Sequence, residues 1–445
     1  MPTPEALTRE LSRRVRELQS KARLPSVSAA VSRGGEVIWS EAVGLAQVDG
    51  GVEATPDTQY RVGSITKTFT AMAIMQLRDA GELALDDRLG DHIPEAAHPG
   101  PTIRRMLAHS SGLQREPTGD LWESMQAPSV EQLLSTLEEA EQVLEPGRWF
   151  HYSNLAFCLL GEVVSRRGGM PYRRFVQERI LDPVGLSRTT WDPTEPVGHG
   201  YFVEPYMDGV RRELDDVDLE GAASAGQLWS TTEDLCRWGA FLSDPDPAVI
   251  APASVDDMHT VQVMTDDGWH QAWGLGLALT REGERIVGGH SGGMPGFITC
   301  FAYSRKERVV ATALTNGLFD MEPITHKLLA AVADAFPGEP ETWKPGTKPP
   351  AAVADILGRW WSEGEEYIFS WRGDRLVGMP AYQPSDDDRA VFVSEGDDRF
   401  RVESGRERGE VLRVIRGADG VPEKLYWATY PFRREPFTFG ELLRQ

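Results

Sequence analysis

The sequence predicts an α/β domain, a sheet flanked by helices that carries an all-α inserted region, followed by a small antiparallel β-barrel. Strand-like patterns lie at both ends of the first 336 residues, with a mainly helical stretch between them. A proline-rich stretch, PGEPETWKPGTKPP, follows at residues 337–350. Beyond it, alternating apolar and polar residues recur about every ten residues, which is typical of small antiparallel barrels. We therefore expect a first domain over 1–336, a linker over 337–350 and a barrel over 351–445.

The elements of the first domain follow in order. Residues 4–22 carry apolar side chains at helical spacing among Arg and Glu, which predicts an amphipathic surface helix. The segment SVSAAVSRGGEVIWSEAVGLAQ indicates two strands joined at Gly34 and Gly35. A helix is expected from Ile65 to Ala80, and the inserted helical region over about 82–225. Strand patterns return at 273–280, 285–290, 297–304 and 308–316, and a helix at 325–336 closes the domain.

The C-terminal segments alternate in the same way. They read EEYIFSWRG, RLVGMP, RAVFVSEG, RFRVES, EVLRVIRG and KLYWATYP. Gly373 with Asp374, and Asp419 with Gly420, supply turns between neighbouring strands. This spacing predicts a curved antiparallel sheet or barrel.

Composition excludes several classes of partner. The 445 residues carry a formal net charge of −22, which argues against nucleic acid, because phosphate binding requires clustered Lys and Arg. Cys158, Cys236 and Cys300 lie far apart, without metal-ligand spacing and too few for a disulfide framework. No apolar run reaches membrane-spanning length. We expect a cytoplasmic protein without a metal ion or membrane partner, and its oligomeric state stays open.

Ser64 and Lys67 bring a hydroxyl and an amine together in a helix-forming segment. Residues three apart share a helix face, so the two groups can approach hydrogen-bonding distance. A serine hydroxyl becomes a nucleophile when a base takes its proton, and lysine can serve as that base where arginine cannot. Only seven of the 46 Lys and Arg residues are lysines, which makes Lys67 more notable. The alternative is a solvated lysine on a helix.

Two further segments can complete a site around Ser64. Tyr152 and Asn154 precede an apolar helix; a phenol can relay protons, and a carboxamide can orient the lysine and hold a substrate amide. The alternative is a helix entrance, with Ser153 or Asn154 as the cap.

The second of these segments is a glycine-rich run after a histidine. It consists of His290, Ser291, Gly292 and Gly293, and we expect it to end one strand. Glycines there allow close approach of a ligand, and a free strand N–H can stabilise an oxyanion. The alternative is an ordinary turn.

Together these segments resemble the serine β-lactamase and penicillin-binding-protein-like superfamily, in its class C, D,D-peptidase-like and esterase branch. Ser64-x-x-Lys67 resembles its first motif, Tyr152-x-Asn154 its second and His290-Ser291-Gly292 its third. Residues 81–87, 107–113 and 230–235 are similar to recurrent signatures of the helical region, and the resemblance covers about residues 10–336. In this pattern His109 and the pair Ser110 and Ser111 resemble a structural loop.

The resemblance implies covalent acyl transfer without a cofactor. Ser64 would be the nucleophile and Lys67 the base, with Tyr152 as proton relay and the N–H groups of Ser64 and Gly293 as the oxyanion site. Asn154 and Ser291 would orient the substrate, and His290 would tune Tyr152 or contact a substrate carboxylate. Typical β-lactamases carry lysine at the third motif, so His290 favours peptide or ester chemistry over antibiotic hydrolysis.

The acyl acceptor stays open between water and an amine. The layout, with its lipocalin-like barrel, resembles D-stereospecific peptidases and penicillin-binding-protein-type thioesterases, which cyclise peptides with a C-terminal D-residue. The substrate would be a peptide or ester, including a peptidyl thioester bound to a carrier protein. A small-ester carboxylesterase is one alternative, and a non-catalytic ligand-binding protein is another.

Overall fold

A computed structural model describes residues 3–213, 217–337, 342–382, 389–405 and 407–437. The chain divides into two compact units, Met1–Gly338 and Glu339–Gln445. Part of the proline-rich stretch, residues 338–341, and the last eight residues of the predicted barrel domain lie outside the described residues. The described remainder of that stretch, residues 342–350, contains neither helix nor strand.

The first unit combines a large antiparallel sheet with helices. Its described helices are α1 (Pro4–Lys21), α2 (Thr66–Asp79), α3 (Leu89–His92), α4 (Ile103–Leu107), α5 (Leu121–Ser124), α6 (Val130–Ser135), α7 (Asn154–Gly168), α8 (Tyr172–Val176), α9 (Asp182–Val184), α10 (Ala223–Gly226), α11 (Thr232–Ser243), α12 (Pro252–Met258) and α13 (Glu322–Ala335). Its strands are β1 (Ser26–Arg33), β2 (Glu36–Gln47), β3 (Val52–Glu53), β4 (Tyr60–Arg61), β5 (Tyr201–Val203), β6 (Val210–Arg212), β7 (Trp229–Ser230), β8 (Val263–Met264), β9 (Gln271–Trp273), β10 (Ala278–Glu282), β11 (Arg285–Met294), β12 (Phe297–Ser304) and β13 (Val309–Thr315).

The large sheet joins strands from both ends of this unit. Its order is β3-β2-β1-β13-β12-β11-β10-β9-β8, with β1 paired to β13. Apolar residues of α1 and α13, such as Leu11 and Leu328, pack on one face, while Trp238 of α11 belongs to the core on the other. The predicted α/β fold class is confirmed. Among the described residues of the inserted region, the named elements are helices apart from the hairpin of β5 and β6.

Two strand predictions need correction. Residues 273–280 form two strands, β9 and β10, because the chain reverses at Gly274–Leu277, where Gly276 has φ 75°. The strand expected over 285–290 extends as β11 to Met294, because β12 pairs with it along residues 288–294. His290–Gly293 lie in the final part of this strand, close to its end as expected.

One edge of β11 is free where the site is expected. Strand β10 pairs with β11 only as far as the pair Ala278 and Gly289. Among the described residues, no strand pairs with the same edge of β11 beyond Gly289. The turn that precedes α2 contacts β11 instead. Backbone N–H groups of this segment are therefore available at the open edge.

The second unit is a nearly closed antiparallel barrel of eight strands, preceded by α14 (Ala351–Ala354). The strands are β14 (Gly358–Ser362), β15 (Glu365–Arg372), β16 (Arg375–Pro380), β17 (Ala390–Gly396), β18 (Arg399–Ser404), β19 (Val411–Arg416), β20 (Pro422–Trp427) and β21 (Tyr430–Phe432), each paired with the next. A bridge between Trp361 and Arg433 brings the first strand to the last. Gly373 and Asp374 turn the chain with φ 55° and 59°. Aromatic residues such as Phe369, Phe392 and Trp427 fill the interior.

Candidate active site

Ser64 lies in a 3₁₀ turn, Gly63–Ile65, immediately before α2. Gly63 has φ 49°, and a Cβ there would lie 2.8 Å from the backbone nitrogen of Gly293. Only glycine fits this position, because both the left-handed backbone and the close approach exclude a side chain. The turn therefore presents the half-buried Ser64 next to the free edge of β11.

Lys67 is fully buried in the first turn of α2. Its Nζ donates to Ser64 Oγ at 2.9 Å and to the carbonyl of Ala225 at 2.7 Å. Burial disfavours the ammonium and lowers the pKa of Lys67 to about 7, while Glu116 opposes this shift by attraction. Near neutral pH a substantial fraction of the amine is therefore unprotonated and able to accept the hydroxyl proton.

Tyr152 completes a triangle with these two groups. Lys67 Nζ lies 5.0 Å from its ring centroid. Burial raises the pKa of Tyr152, and the neighbouring Ser64 hydroxyl and Arg115 guanidinium only partly offset that rise. The phenol thus stays protonated and can pass a proton on rather than act as a permanent anion.

Asn154 begins α7, and its Nδ2 donates to Glu116 Oε1 at 2.7 Å. Among the described residues, Asn154 forms no hydrogen bond with Lys67, which donates instead to Ser64 Oγ and to the carbonyl of Ala225. The neighbouring Ser153 caps α7 by accepting from the N–H of Ala156 at 3.0 Å. Ser153 therefore has the capping role that the sequence left open.

His290 is buried on β11, and its Nδ1 donates to the carbonyl of Ser291 at 2.5 Å. Burial, aided by Lys67, lowers the pKa of His290 to about 3. The ring is therefore neutral, with a lone pair on Nε2. Such a nitrogen repels an anion, so the expected contact with a substrate carboxylate is disfavoured. The ring centroid lies 6.3 Å from that of Tyr152, which keeps tuning of the phenol as its predicted role.

The remaining residues of the third motif differ in surroundings. Ser291 and Gly293 are exposed and line the cleft at Ser64. A Cβ on Gly292 would lie 1.9 Å from the carbonyl oxygen of Val62, so this glycine lets β11 pack against the Ser64 turn. Gly292 thus serves packing rather than the ligand approach that we expected.

The cleft at Ser64 has a volume of about 810 Å³. Side chains that the motifs did not indicate form much of its wall, among them Arg115, Glu116, Trp122, Phe150 and Trp273. Arg115 lies over the Tyr152 ring at 5.1 Å, and Glu116 Oε2 is buried without a hydrogen-bond partner among the described residues. Arg115 and Glu116 lie within three residues of the 107–113 signature, and that proximity was the available signal for finding them.

The described residues offer neither a cluster of metal ligands nor a membrane-spanning helix. No group of three or more His, Cys, Asp or Glu residues there could hold a metal ion. No described helix combines the length and apolarity needed to cross a membrane.

Comparison with known proteins decides the family. The sequence profile of the Beta-lactamase family matches residues 11–335, which is more than half of the chain. The chain belongs to the β-lactamase family. Its predicted membership of the β-lactamase and penicillin-binding-protein-like serine hydrolase superfamily is confirmed. A domain of unknown function (DUF7586) matches residues 349–434, over the barrel.

Similar members of this family include two curated proteins. Beta-lactamase-like protein 2 of Dictyostelium discoideum is 26% identical over 285 residues, covering 60% of this chain and 51% of the relative. The D-aminopeptidase of Gluconobacter oxydans (strain 621H) is 28% identical over 345 residues, covering 74% of this chain and 62% of the relative. The chain thus spans about half to three fifths of the length of these relatives.

Two solved structures share the fold, and one of them covers nearly the whole chain. The structure of SurE matches with a TM-score of 0.62 and 23% identity, covering 97% of this chain and all of its own. A D-stereospecific amidohydrolase from Streptomyces sp. matches with a TM-score of 0.62 and 25% identity, covering 71% of this chain and 96% of its own.

Proposed function

We propose that this β-lactamase-family protein is an acyl-transfer enzyme that forms an ester on Ser64. The observation that carries the proposal is the buried Lys67 amine, with a pKa of about 7, hydrogen-bonded to Ser64 Oγ at 2.9 Å. A nucleophile in contact with a base that is neutral at working pH is the arrangement that activated serines require. A non-catalytic homologue would have no need to bury an amine next to a hydroxyl.

The proposed reaction has two halves. Lys67 takes the Ser64 proton, directly or through Tyr152, while Oγ bonds to the substrate carbonyl carbon. The carbonyl oxygen becomes an oxyanion between the N–H groups of Ser64 and Gly293. The bond to the leaving group then breaks as Tyr152 protonates it, and the Lys67 ammonium returns a proton to the phenol. Water or an amine attacks the acyl ester, and Ser64 recovers its proton.

We propose a D-configured aminoacyl or peptidyl amide, ester or thioester as the acyl donor. The D-aminopeptidase and the D-stereospecific amidohydrolase among the similar proteins support the stereochemistry. The buried Glu116 Oε2, without a hydrogen-bond partner among the described residues, provides an acceptor for a substrate ammonium beside Asn154. Trp122, Phe150 and Trp273 supply an apolar wall for the side chain.

The acceptor distinguishes a peptidase from a peptide-cyclising thioesterase. Transfer to water would give hydrolysis, and transfer to the N-terminal amine of the same peptide would close a ring. The similarity to SurE over both units supports a shared architecture, and cyclisation of a carrier-bound peptidyl thioester stays a prediction of the sequence resemblance. A small-ester carboxylesterase would not need to recognise an amine. The acceptor that Glu116 offers to a substrate ammonium therefore argues against that function.

A single assay separates these outcomes. Peptidyl thioesters and amides with D- or L-configured C-terminal residues are offered beside nitrophenyl esters, and mass spectrometry distinguishes linear from cyclic products. We expect turnover of the D-configured donors only, and a selectively raised KM in Glu116→Gln for donors with a free amine. Turnover without stereochemical preference would instead assign the carboxylesterase.

Covalent labelling supplies the matched control. A fluorophosphonate probe should label the wild-type chain and Ser135→Ala, which changes an exposed serine on α6. It should not label Ser64→Ala, because that variant lacks the nucleophile. Equal labelling of Ser64→Ala would refute the assignment of Ser64.

A further inference from the structure

We propose that His109 is a positioning residue that holds Tyr152 against Ser64; the role rests on the proposed function of this site. His109 follows α4 and is fully buried. The sequence resemblance assigned its segment to a structural loop. In the structure, His109 contacts the segment that carries Tyr152 in two ways. Its carbonyl and Nδ1 accept hydrogen bonds from that segment, and its ring stacks on Tyr152.

The first contact set joins His109 to the residues on either side of Tyr152. The carbonyl of His109 accepts from the N–H of His151 at 2.7 Å. Its Nδ1 accepts from the N–H of Ser153 at 3.0 Å. His109 itself has φ 52°, a left-handed backbone that is unusual for a non-glycine residue. One residue thus holds the backbone both before and after the phenol.

The second contact is made by the imidazole ring. It stacks on Tyr152 with ring centroids 4.0 Å apart and an interplanar angle of 24°. Phe157 and Trp273 enclose the same imidazole, each at 5.0 Å between centroids. A ring that is itself confined in this way restricts rotation of the phenol. The orientation of the Tyr152 hydroxyl toward Ser64 therefore depends on His109.

The hydrogen-bond pattern also defines the state of the imidazole. Because Nδ1 accepts a backbone N–H, the neutral ring carries its proton on Nε2. Burial holds the pKa of His109 well below its usual range, and the neighbouring Lys67, His290, Arg115 and His151 act in the same direction. The ring therefore stays neutral and adds no positive charge beside Lys67.

An apolar ring could not replace this imidazole. Phenylalanine would preserve the stacking but leave the buried N–H of Ser153 without its acceptor, which is unfavourable. Asparagine would preserve an acceptor and tolerate the left-handed backbone but remove the stacking. Each of these substitutions keeps one of the two contacts, so together they separate the contributions.

The test compares His109→Gly, His109→Asn and His109→Phe in steady-state turnover of the best donor. Glycine accommodates φ 52° and removes both side-chain contacts. We expect kcat to fall roughly 100-fold in His109→Gly, since displacement of a catalytic group by about 1 Å has an effect of that order. The Asn and Phe variants should fall between wild type and Gly. KM should change less than about twofold, because His109 acts on the phenol and not on the substrate.

A double-mutant cycle with Tyr152→Phe decides whether His109 acts through the phenol. In the Tyr152→Phe background, His109→Gly should lower kcat by less than about twofold. An equal loss of kcat in both backgrounds would overturn the proposal, and so would wild-type kcat in all three single variants. Thermal unfolding checks that each variant is folded; if the Gly variant is not, the Asn and Phe variants in the same cycle give the answer. Failure of the proposed function is distinguishable, because the wild-type chain would then not be labelled by the fluorophosphonate probe.

Discussion

At the scale of single residues, the proposed chemistry depends on the charge state of Lys67. The ammonium cannot accept the Ser64 proton, whereas the neutral amine can. Burial keeps the pKa of Lys67 at about 7, although Glu116 attracts its ammonium. Tyr152 and His290 do not titrate near that value, because burial raises the pKa of the phenol and lowers that of the imidazole to about 3. A single ionisation should therefore govern the approach to maximal activity.

We predict that the rate of Ser64 acylation rises with pH through about 7 and then levels off. The sign follows from the base role, since the reactive amine forms as pH increases above its pKa. Lys67→Arg should reduce acylation by at least about 100-fold, because arginine does not release its proton. Stopped-flow acylation with a D-aminoacyl nitrophenyl ester between pH 5 and 9 measures both effects.

The matched control for this prediction is Lys327→Arg, an exposed lysine on α13. It should leave the profile unchanged. A falling rate between pH 6 and 8 in the wild-type chain, or wild-type acylation in Lys67→Arg, would contradict the role of Lys67 as the base.

At the scale of elements, the site depends on how closely β11 packs against the turn before α2. Thr299 of β12 donates to the carbonyls of Val62 and Gly292, at 3.2 and 3.3 Å. The turn and the strand are thereby tied through one buried hydroxyl. This packing brings the N–H of Gly293 beside Gly63, where the oxyanion site is proposed. Two neighbouring glycines on β11 test the arrangement, because their missing side chains face different surroundings.

We predict that Gly292→Ala lowers the free energy of unfolding by about 1–3 kcal/mol or more, because the added methyl group overpacks the interior. Its Cβ would lie 1.9 Å from the carbonyl oxygen of Val62, a backbone atom that cannot move alone. Gly293→Ala is the matched control, since its Cβ would meet only the flexible end of Ile298 at 3.3 Å. Urea unfolding followed by circular dichroism gives the free energies of unfolding. Equal stability of the two variants would show that β11 can shift without cost.

At the scale of the whole molecule, the two units have separate interiors. The core of the barrel consists of residues from Val353 to Phe432, and the cores of the first unit end at Ala335. The described residues that line the Ser64 cleft all belong to the first unit. Separate cores favour separate folding, since each unit buries its own apolar surface.

We therefore predict that a fragment of residues 1–337 folds and still reacts with a fluorophosphonate probe. A fragment that begins at residue 342 should unfold in one cooperative transition, because its eight strands enclose a continuous aromatic core. Thermal circular dichroism and probe labelling measure the two outcomes. A folded 1–337 fragment that no longer reacts would instead assign part of the site to the barrel unit.

Much of the fold could be read from local patterns. The Gly34–Gly35 hairpin, the strands at 297–304 and 309–315 and the recurring strands of the barrel follow from alternation and turn residues over short stretches. The division of residues 273–280 into two strands could not be predicted in this way. The run WGLGLALT is apolar almost throughout, and its turn depends on the close approach of Gly276 to α2. Likewise, β11 continues through its glycines only because β12 pairs with them.

The sequence by itself determined the fold class, the family and the motif residues Ser64, Lys67 and Tyr152, since each depends on residue types at short spacing. Only the tertiary structure decided which groups surround them. The carbonyl of Ala225 holds Lys67, Glu116 holds Asn154, and His109 stacks on Tyr152. The physical reason is that burial and long-range contacts set charge states and hydrogen-bond partners. Neither is encoded in the spacing of a motif.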